Sequence, residues 1–577
     1  MNSDRVSRRA SAMMVLFFGL AALIVFRMGL FQFTSYRQDI LDITEDYEKV
    51  ERLLVPERGM ITDAWGSLLA GNIQVYEIGV NIPIMQENQS QLTIQRHLDD
   101  ILGNSYAELL EEGLATEGAI YYPLDTNVSS EKAHRLMELQ QDYLVNPVKV
   151  KRGEVSPNLE GLEFRARLQR VYPENELASN IIGFFQFLTP EDNVQKPKAY
   201  FGVEQQYDDL LSGNPIRYTY LVDPRQVQEI PELVSGASIS LTIDRQIQAM
   251  VEDILDQVVE GSGSDSGSIV VLQPETGEIL ALAVTPRIDP NQYWEVEKTF
   301  PDELPLRFNR AVSYPYEPGS TFKVITMASA LDAGTVTPST PFLDTGIIYV
   351  GGIGIQNWDR GAWGPQDMLG CMQHSLNVCL AWVATEMGAG TFYEYMDRFG
   401  IGQMTNVDIA GEVAYPVAVP GDPYWSESNL GANAFGQALL TTPLQLASAI
   451  SAVANDGKIM APHIVKSIVA NGKEYRTVPQ VLRTPIKPET AHTLNEMLAV
   501  SLEQEASNSL VEGYRIAGKT GTAQIAGEYG YTEWLTNASF VGCGPVDDPK
   551  FLVYITLEKP ESSPWGSVVA APVFAQV

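Results

Sequence analysis

The run from Ser11 to Phe33, SAMMVLFFGLAALIVFRMGLFQF, is apolar apart from Ser11, Arg27 and Gln32, and it divides the chain between two compartments. As a helix its 23 residues reach about 35 Å, enough to cross the hydrocarbon layer once. Arg5, Arg8 and Arg9 precede it, so the positive-inside rule leaves residues 1–10 as a cytoplasmic tail and everything after 33 on the outer side. A cleaved signal peptide needs a short apolar core followed by small residues, whereas here the run continues into Arg27-Met28-Gly29-Leu30-Phe31. An uncleaved anchor is expected, with Arg27 snorkelling toward the headgroups near its outer end.

The remaining chain is long enough for several compact units. Its 45% hydrophobic and 19% charged residues lie in the globular range. A net charge of -33 excludes nucleic acid as a partner, because phosphate binding needs concentrated Lys and Arg. The three cysteines, Cys371, Cys379 and Cys543, form no C-x-x-C pair. If the first two share a helix they stand about 12 Å apart, too far for a disulfide. The five histidines are dispersed at 97, 134, 374, 463 and 492, so neither a metal nor a cofactor is expected.

Along the chain, residues 34–55 mix charge with apolar positions at helical spacing and read as a short connecting helix. From Pro56 to about Gly213 there are turn signals such as Asp63-Ala64-Trp65-Gly66, the β-prone run VYEIGVNI and the helical segment SEKAHRLMELQQ, an irregular α+β region. The amphipathic helix DRQIQAMVEDILDQVVE then leads through the polar GSGSDSG at 261–267 into SIVVLQPETGEILALAV, two strands about a Glu275-Thr276-Gly277 turn. From there strands lie at the two ends and helices between about 318 and 460, an α+β sandwich pattern.

Ser320-Thr321-Phe322-Lys323 opens the helical run TFKVITMASALDAG, which places hydroxyl and ammonium one turn apart on one face. Alone this S-x-x-K pattern means little: Ser129-Ser130-Glu131-Lys132 matches it too, and there a helix N-cap is expected. What distinguishes the former is its company. Ser375-Leu376-Asn377 follows 55 residues after Ser320, and Lys519-Thr520-Gly521-Thr522 follows 142 residues after Asn377. A serine hydroxyl is a weak nucleophile until a base takes its proton, and Lys323 is the nearest base. Its ammonium must lose a proton near neutrality, which burial and a second cation such as Lys519 favour. Ser375 then relays a proton to the leaving amine and Asn377 holds the peptide amide. The amides of Ser320 and Thr522 converge as an oxyanion hole, and the Thr520 and Thr522 hydroxyls, on either side of Gly521, bind a substrate carboxylate.

The three motifs in this order reproduce the signature of penicillin-binding proteins and serine β-lactamases. The chain resembles the class B penicillin-binding proteins over nearly its full length. Its pedestal motifs match as well: Arg58-Gly59-Met60-Ile61-Thr62-Asp63, Arg170-Val171-Tyr172-Pro173, and Gly202-Val203-Glu204 with Tyr207, Leu210 and Gly213. So do Phe308-Asn309-Arg310-Ala311, Gly436 through Thr442-Pro443-Leu444-Gln445-Leu446, Asn455-Asp456-Gly457 and Ala570-Ala571-Pro572-Val573-Phe574. The resemblance implies an α+β architecture in three parts: a transmembrane helix over 11–33, an elongated pedestal (dimerisation) domain over 34–235, and a transpeptidase domain over 236–577. In the last, helices sandwich an antiparallel sheet as in serine β-lactamases. It further implies a bacterial cell membrane location and attack by Ser320 on the D-alanyl-D-alanine end of a peptidoglycan stem peptide. D-alanine leaves, the acyl group passes to a neighbouring amine, and β-lactams acylate the same serine.

S-x-N with K-T-G-T is more frequent in the division branch of that family, S-x-D with K-S-G-T in the elongation branch. The resemblance thus implies a role in septal synthesis beside a SEDS-type glycosyltransferase and other divisome proteins. Relatives usually continue beyond Val573-Phe574-Ala575-Gln576-Val577 into a last helix on the sheet, so the chain is either unusually short or incomplete. The competing readings are a D,D-carboxypeptidase, an elongation-type transpeptidase, an idle wall-synthesis scaffold and a β-lactamase. The pedestal and anchor disfavour the lactamase, and the intact Ser320, Lys323 and Lys519 disfavour the scaffold.

Overall fold

The computed structural model describes residues 3–33, 49–116, 118–151, 155–186, 198–221, 231–301, 304–527 and 530–577. The chain divides into two compact units, residues 1–57 with 212–236, and residues 58–211 with 237–577. In the first, helix α1 (Ser3–Phe33) contains the apolar stretch Ser11–Leu30, whose mean hydropathy of 2.2 and length suit a membrane crossing. Helix thus begins before the apolar run and includes Arg5, Arg8 and Arg9.

Of the connecting helix expected over 34–55, residues 34–48 lie outside the described residues, and the rest is a strand. Lys49–Leu54 pairs antiparallel with Ile216–Leu221, from Lys49 opposite Leu221 to Leu54 opposite Ile216. Six residues are too few for periodicity to separate helix from strand. The partner that satisfies the backbone lies far away in sequence.

The larger unit carries two large sheets beside several two-stranded ones. One is mixed and joins segments from before residue 211 and after residue 237, in the order Lys473–Arg476, Val465–Ala470, Ser238–Leu241, Ile61–Thr62, Leu68–Asn81 and Tyr121–Ser129. Leu162–Val171 also pairs with Leu68–Asn81. The S-x-x-K look-alike borders this sheet. Ser129 caps helix α2 (Ser130–Val145), its hydroxyl accepting from the Lys132 amide at 3.5 Å.

The three pedestal motifs converge on one buried carboxylate. Arg58 Nε donates to Glu204 Oε2 and Arg170 Nε to Glu204 Oε1, both at 2.8 Å, while the Tyr172 hydroxyl donates to Oε1 at 3.2 Å. Burial alone would raise the Glu204 carboxyl, but Arg170 and Arg58 outweigh it and hold the group below its ordinary value.

The second sheet is antiparallel throughout. Helix α3 (Arg245–Ser262), capped by Asp244 Oδ1 accepting from the Gln246 and Ile247 amides at 2.8 and 3.1 Å, precedes it. Its strands are β1 (Ser266–Leu272), β2 (Ile279–Thr285), β3 (Ala517–Gly527), β4 (Gly530–Gly544) and β5 (Phe551–Glu558), in the spatial order β2-β1-β5-β4-β3. Gly277, at φ +83°, turns the β1–β2 hairpin.

Both faces of this sheet are covered, which explains why β1 and β5 read as continuous apolar runs. Ile269, Val271, Val553 and Ile555 point to one core with Leu255 of α3, Phe540 and Phe574. Val270, Leu272, Leu552 and Tyr554 point to the other, with Phe322, Val324 and Leu446. Strand alternation sorts neighbouring residues onto opposite faces, each buried side chain contributing about 1.5–3 kcal/mol. On the second face lies α4 (Lys323–Asp332), buried from Lys323 to Ala330.

Candidate active site

Ser320 stands in a single 3-10 turn, Gly319–Phe322, that runs directly into α4. Two glycines let that turn meet its neighbours. Gly319 has φ +58°, and a β-carbon there would lie 2.9 Å from the Thr522 carbonyl oxygen. At Gly436 (φ +79°) a β-carbon would lie 2.3 Å from the Gly319 carbonyl, and the Gly319 amide donates to the Gly436 carbonyl at 3.0 Å. Thr321 Oγ1 completes the brace, donating to the Pro318 carbonyl at 2.9 Å and lying 3.0 Å from the Tyr554 hydroxyl. Behind the turn, Glu317 Oε1 accepts from the Ala438 amide at 3.0 Å and the Tyr531 hydroxyl at 2.9 Å.

The S-x-N element is a reversal between two short helices, α5 (Met368–Gln373) and α6 (Asn377–Met387). Ser375 takes φ +54°, a conformation that non-glycine residues adopt at a cost of about 1–3 kcal/mol. Here the structure corrects the expectation for the cysteines. Cys371 and Cys379 sit on the two different helices, their Cα atoms are 6.0 Å apart, and they form a disulfide. A shared helix would have separated them, but the turn at Ser375 folds one segment back toward the other. The covalent link therefore closes over Ser375.

K-T-G-T lies on β3, the strand at the sheet edge. Gly521 is confined on both sides. A β-carbon there would be 2.3 Å from Ser539 Oγ and 2.8 Å from Thr321 Cγ2, while one at Gly566 would be 2.1 Å from the Gly521 carbonyl. Thr522 Oγ1 accepts from the Gly566 amide at 3.0 Å. The third motif is thus packed directly against the turn that carries Ser320.

The side chains of the three motifs meet on Ser375. Lys323 Nζ donates to the Ser375 carbonyl at 2.6 Å, to Asn377 Oδ1 at 2.7 Å and to Ser375 Oγ at 3.1 Å. Lys519 Nζ donates to the same Oγ at 3.0 Å and to the Thr520 carbonyl at 3.3 Å. Asn377 Nδ2 donates to the Gln356 carbonyl at 3.1 Å, so both ends of its amide are engaged. The three ammonium hydrogens of Lys323 are all taken, none by Ser320. Lys323 is fully buried and Lys519 is 4% exposed. Burial, and then the Lys519 cation, hold Lys323 well below the ordinary lysine value. Burial brings Lys519 down to about 8, against an upward pull from Glu505.

A cavity of about 330 Å³ opens onto this cluster. Its lining includes Ser320, Ser375, Asn377, Thr520 and Thr522, and also Trp358, His374, Glu505 and Trp565. The last four were not among the residues expected from sequence. A chemistry of the whole follows: a half-buried serine at the cavity, two buried amines of lowered basicity joined by a second serine, and a strand edge beside them.

Comparison with known proteins places this arrangement. Residues 267–577, more than half of the chain, match the family model described as the penicillin binding protein transpeptidase domain. Residues 53–237 match the penicillin-binding protein dimerisation domain. The chain is 29% identical over 598 residues to Stage V sporulation protein D of Bacillus subtilis (strain 168), spanning 100% of this chain and 86% of that protein. It is 28% identical over 532 residues to the peptidoglycan D,D-transpeptidase FtsI of Escherichia coli (strain K12), spanning 90% and 82%. In fold it is similar to penicillin binding protein 2X from Streptococcus thermophilus, with a TM-score of 0.76 and 22% identity over 91% of this chain and 79% of that one. With both domains matched in order, the chain belongs to the class B penicillin-binding proteins.

Proposed function

We propose that the protein is a serine-type peptidoglycan D,D-transpeptidase in which Ser320 is the nucleophile. The single observation that carries this reading is the convergence of Lys323 and Lys519 on Ser375 Oγ beside Ser320. Once Lys323 has lost a proton, its amine keeps two N–H bonds for the contacts around Ser375 and gains one lone pair, which takes the Ser320 proton. Ser320 Oγ then attacks the carbonyl of the penultimate D-alanine. The amides of Ser320 and Thr522 receive the oxyanion. Ser375, linked to both lysines, passes a proton to the departing D-alanine amine. The resulting ester on Ser320 is opened by an amine of a second stem peptide, with the proton transfers reversed. Thr520, Gly521 and Thr522 form the substrate-binding strand, and Asn377 is aligned by Lys323 and Gln356 to face the donor peptide.

In this reading residues 1–10 form the cytoplasmic tail, 11–33 the membrane span, 34–235 the pedestal domain and 236–577 the transpeptidase domain. Two independent observations support an extracytoplasmic catalytic domain: Arg5, Arg8 and Arg9 before the span, and the Cys371–Cys379 disulfide, which a reducing cytosol would not preserve. S-x-N with K-T-G-T supports a septal role with a SEDS-type glycosyltransferase and divisome proteins as partners. Depletion is then expected to block septation and leave filaments, and rounded cells that still divide would overturn that role.

The activity is tested by incubating the full-length chain with a D-alanyl-D-alanine donor peptide and a diamino-acid acceptor. Equal yields of free D-alanine and cross-linked product are expected. Release of D-alanine with only hydrolysed donor would identify a D,D-carboxypeptidase instead.

A further inference from the structure

The cavity beside Ser320 is lined by one carboxylate among the described residues, Glu505, and the mechanism above does not use it. Glu505 is the last residue of α7 (Pro488–Glu505), a helix with no basic residue in its final turn. A carboxylate at that end adds to the negative pole of the helix dipole, the opposite of the favoured placement. The position is nonetheless held firmly. His374 Nδ1 lies 2.9 Å from Glu505 Oε1, and the His374 ring stacks on Trp363 with centroids 4.2 Å apart. Trp358 Nε1 donates to the His374 carbonyl at 3.2 Å, and its ring meets Trp565 edge to face at 5.4 Å. Both tryptophans are exposed, by 52% and 40%, in the cavity wall.

Negative charge and indole rings together select one chemical class. A carboxylate, a helix carboxyl end and aromatic faces each attract an organic cation. Behind Ser375 the Lys519 ammonium, which itself feels the charge of Glu505, repels one. Yet the proposed reaction requires an amine, and a primary amine with an ordinary pKa near 10.4 arrives as an ammonium at neutral pH.

We propose that Glu505, braced by His374 and flanked by Trp358 and Trp565, is a specificity-determining residue that recognises the primary ammonium of a diamino-acid side chain on a stem peptide. This rests on the transpeptidase reading. The same ammonium belongs to two sources, the donor peptide's own side chain and the acceptor strand.

The test compares the full-length wild type with Glu505→Gln and Glu505→Asp, using a D-alanyl-D-alanine donor with its side-chain amine either free or acetylated, and a separate diamino-acid acceptor. Two ratios are read by mass spectrometry: acylation rate on free against acetylated donor, and aminolysis against hydrolysis of the acyl-enzyme. Glu505→Gln is expected to lower at least one ratio about fivefold, a size set by the partly screened, half-exposed carboxylate. Glu505→Asp is expected to recover part of it, and the effect to shrink as salt is raised. A fall in the first ratio identifies the donor as the source, a fall in the second the acceptor. If Glu505→Gln leaves both ratios unchanged while acyl-enzyme still forms, the proposal is overturned and the transpeptidase reading stands. If the wild type forms no acyl-enzyme on any donor, both fall.

Discussion

Replacing Lys519 with methionine removes a cation while keeping the volume of its side chain, and the structure sets the size of the effect. The Lys323 and Lys519 nitrogens lie 3.1 and 3.0 Å from Ser375 Oγ, so they are within about 6 Å of one another. At an effective dielectric constant near 20, two unit charges at that separation repel by about 2.8 kcal/mol. That energy corresponds to roughly a hundredfold in the ratio of neutral to charged Lys323. The sign follows from removing the repulsion: the charged form of Lys323 is stabilised, its pKa rises, and less of it is neutral at pH 7. Acylation by benzylpenicillin, followed as adduct formation against time from about pH 6 to about pH 10, is therefore expected to fall at neutral pH by up to roughly a hundredfold and to recover as pH increases. In Lys519→Met the rising limb of the profile should be displaced toward higher pH. A curve uniformly lower but unchanged in shape would refute the reasoning, leaving Lys519 only as a ligand for the substrate carboxylate.

Arg170→Met leaves Glu204 buried with one fewer cation, and urea denaturation is expected to show a loss of about 3–5 kcal/mol. Because the Glu204 carboxyl is held below its ordinary value, its contribution is complete above that value and disappears as pH falls through the lowered one, so the acid-unfolding midpoint of the variant should move upward. Gly521→Ala places a methyl 2.3 Å from Ser539 Oγ, and should abolish acylation while the protein stays folded by circular dichroism. Paired Cys371→Ser and Cys379→Ser substitutions open an eight-residue loop, a cost of about 2.5 kcal/mol on the chain-entropy account, measurable as a lower Tm. The same variant should acylate more slowly because the turn bearing Ser375 is released. An unchanged rate would confine the disulfide to a stabilising role.

How much of this was legible in the sequence depended on whether the information was local. The apolar runs of β1 and β5 announce strands covered on both faces, and Asp244 marks the start of α3 one residue ahead of its first turn. Ser320, Lys323, Ser375, Asn377 and Lys519 stood out because three short motifs occurred in order, and the fold puts Ser320, Ser375 and Asn377 in the wall of one cavity with Lys323 and Lys519 bonded to Ser375 behind it. The look-alike at Ser129 also behaved as its setting indicated, as a cap. What was not legible depended on geometry between elements. The cysteine spacing misled because a single helix was assumed where Ser375, at positive φ, reverses the chain. Lys49–Leu54 is a strand only because Ile216–Leu221 pairs with it. Glu505 ends an ordinary helix and His374 follows another, and nothing in either segment signals that they meet beside Ser320.

The central claim is that Ser320 forms a long-lived acyl-enzyme. Intact-protein mass after brief exposure to benzylpenicillin, wild type beside Ser320→Ala, tests it directly. One penicilloyl adduct on the wild type, stable through the measurement and absent from the folded variant, is the predicted result. An adduct that persists in Ser320→Ala, or a wild type that destroys the drug without retaining it, would contradict the account.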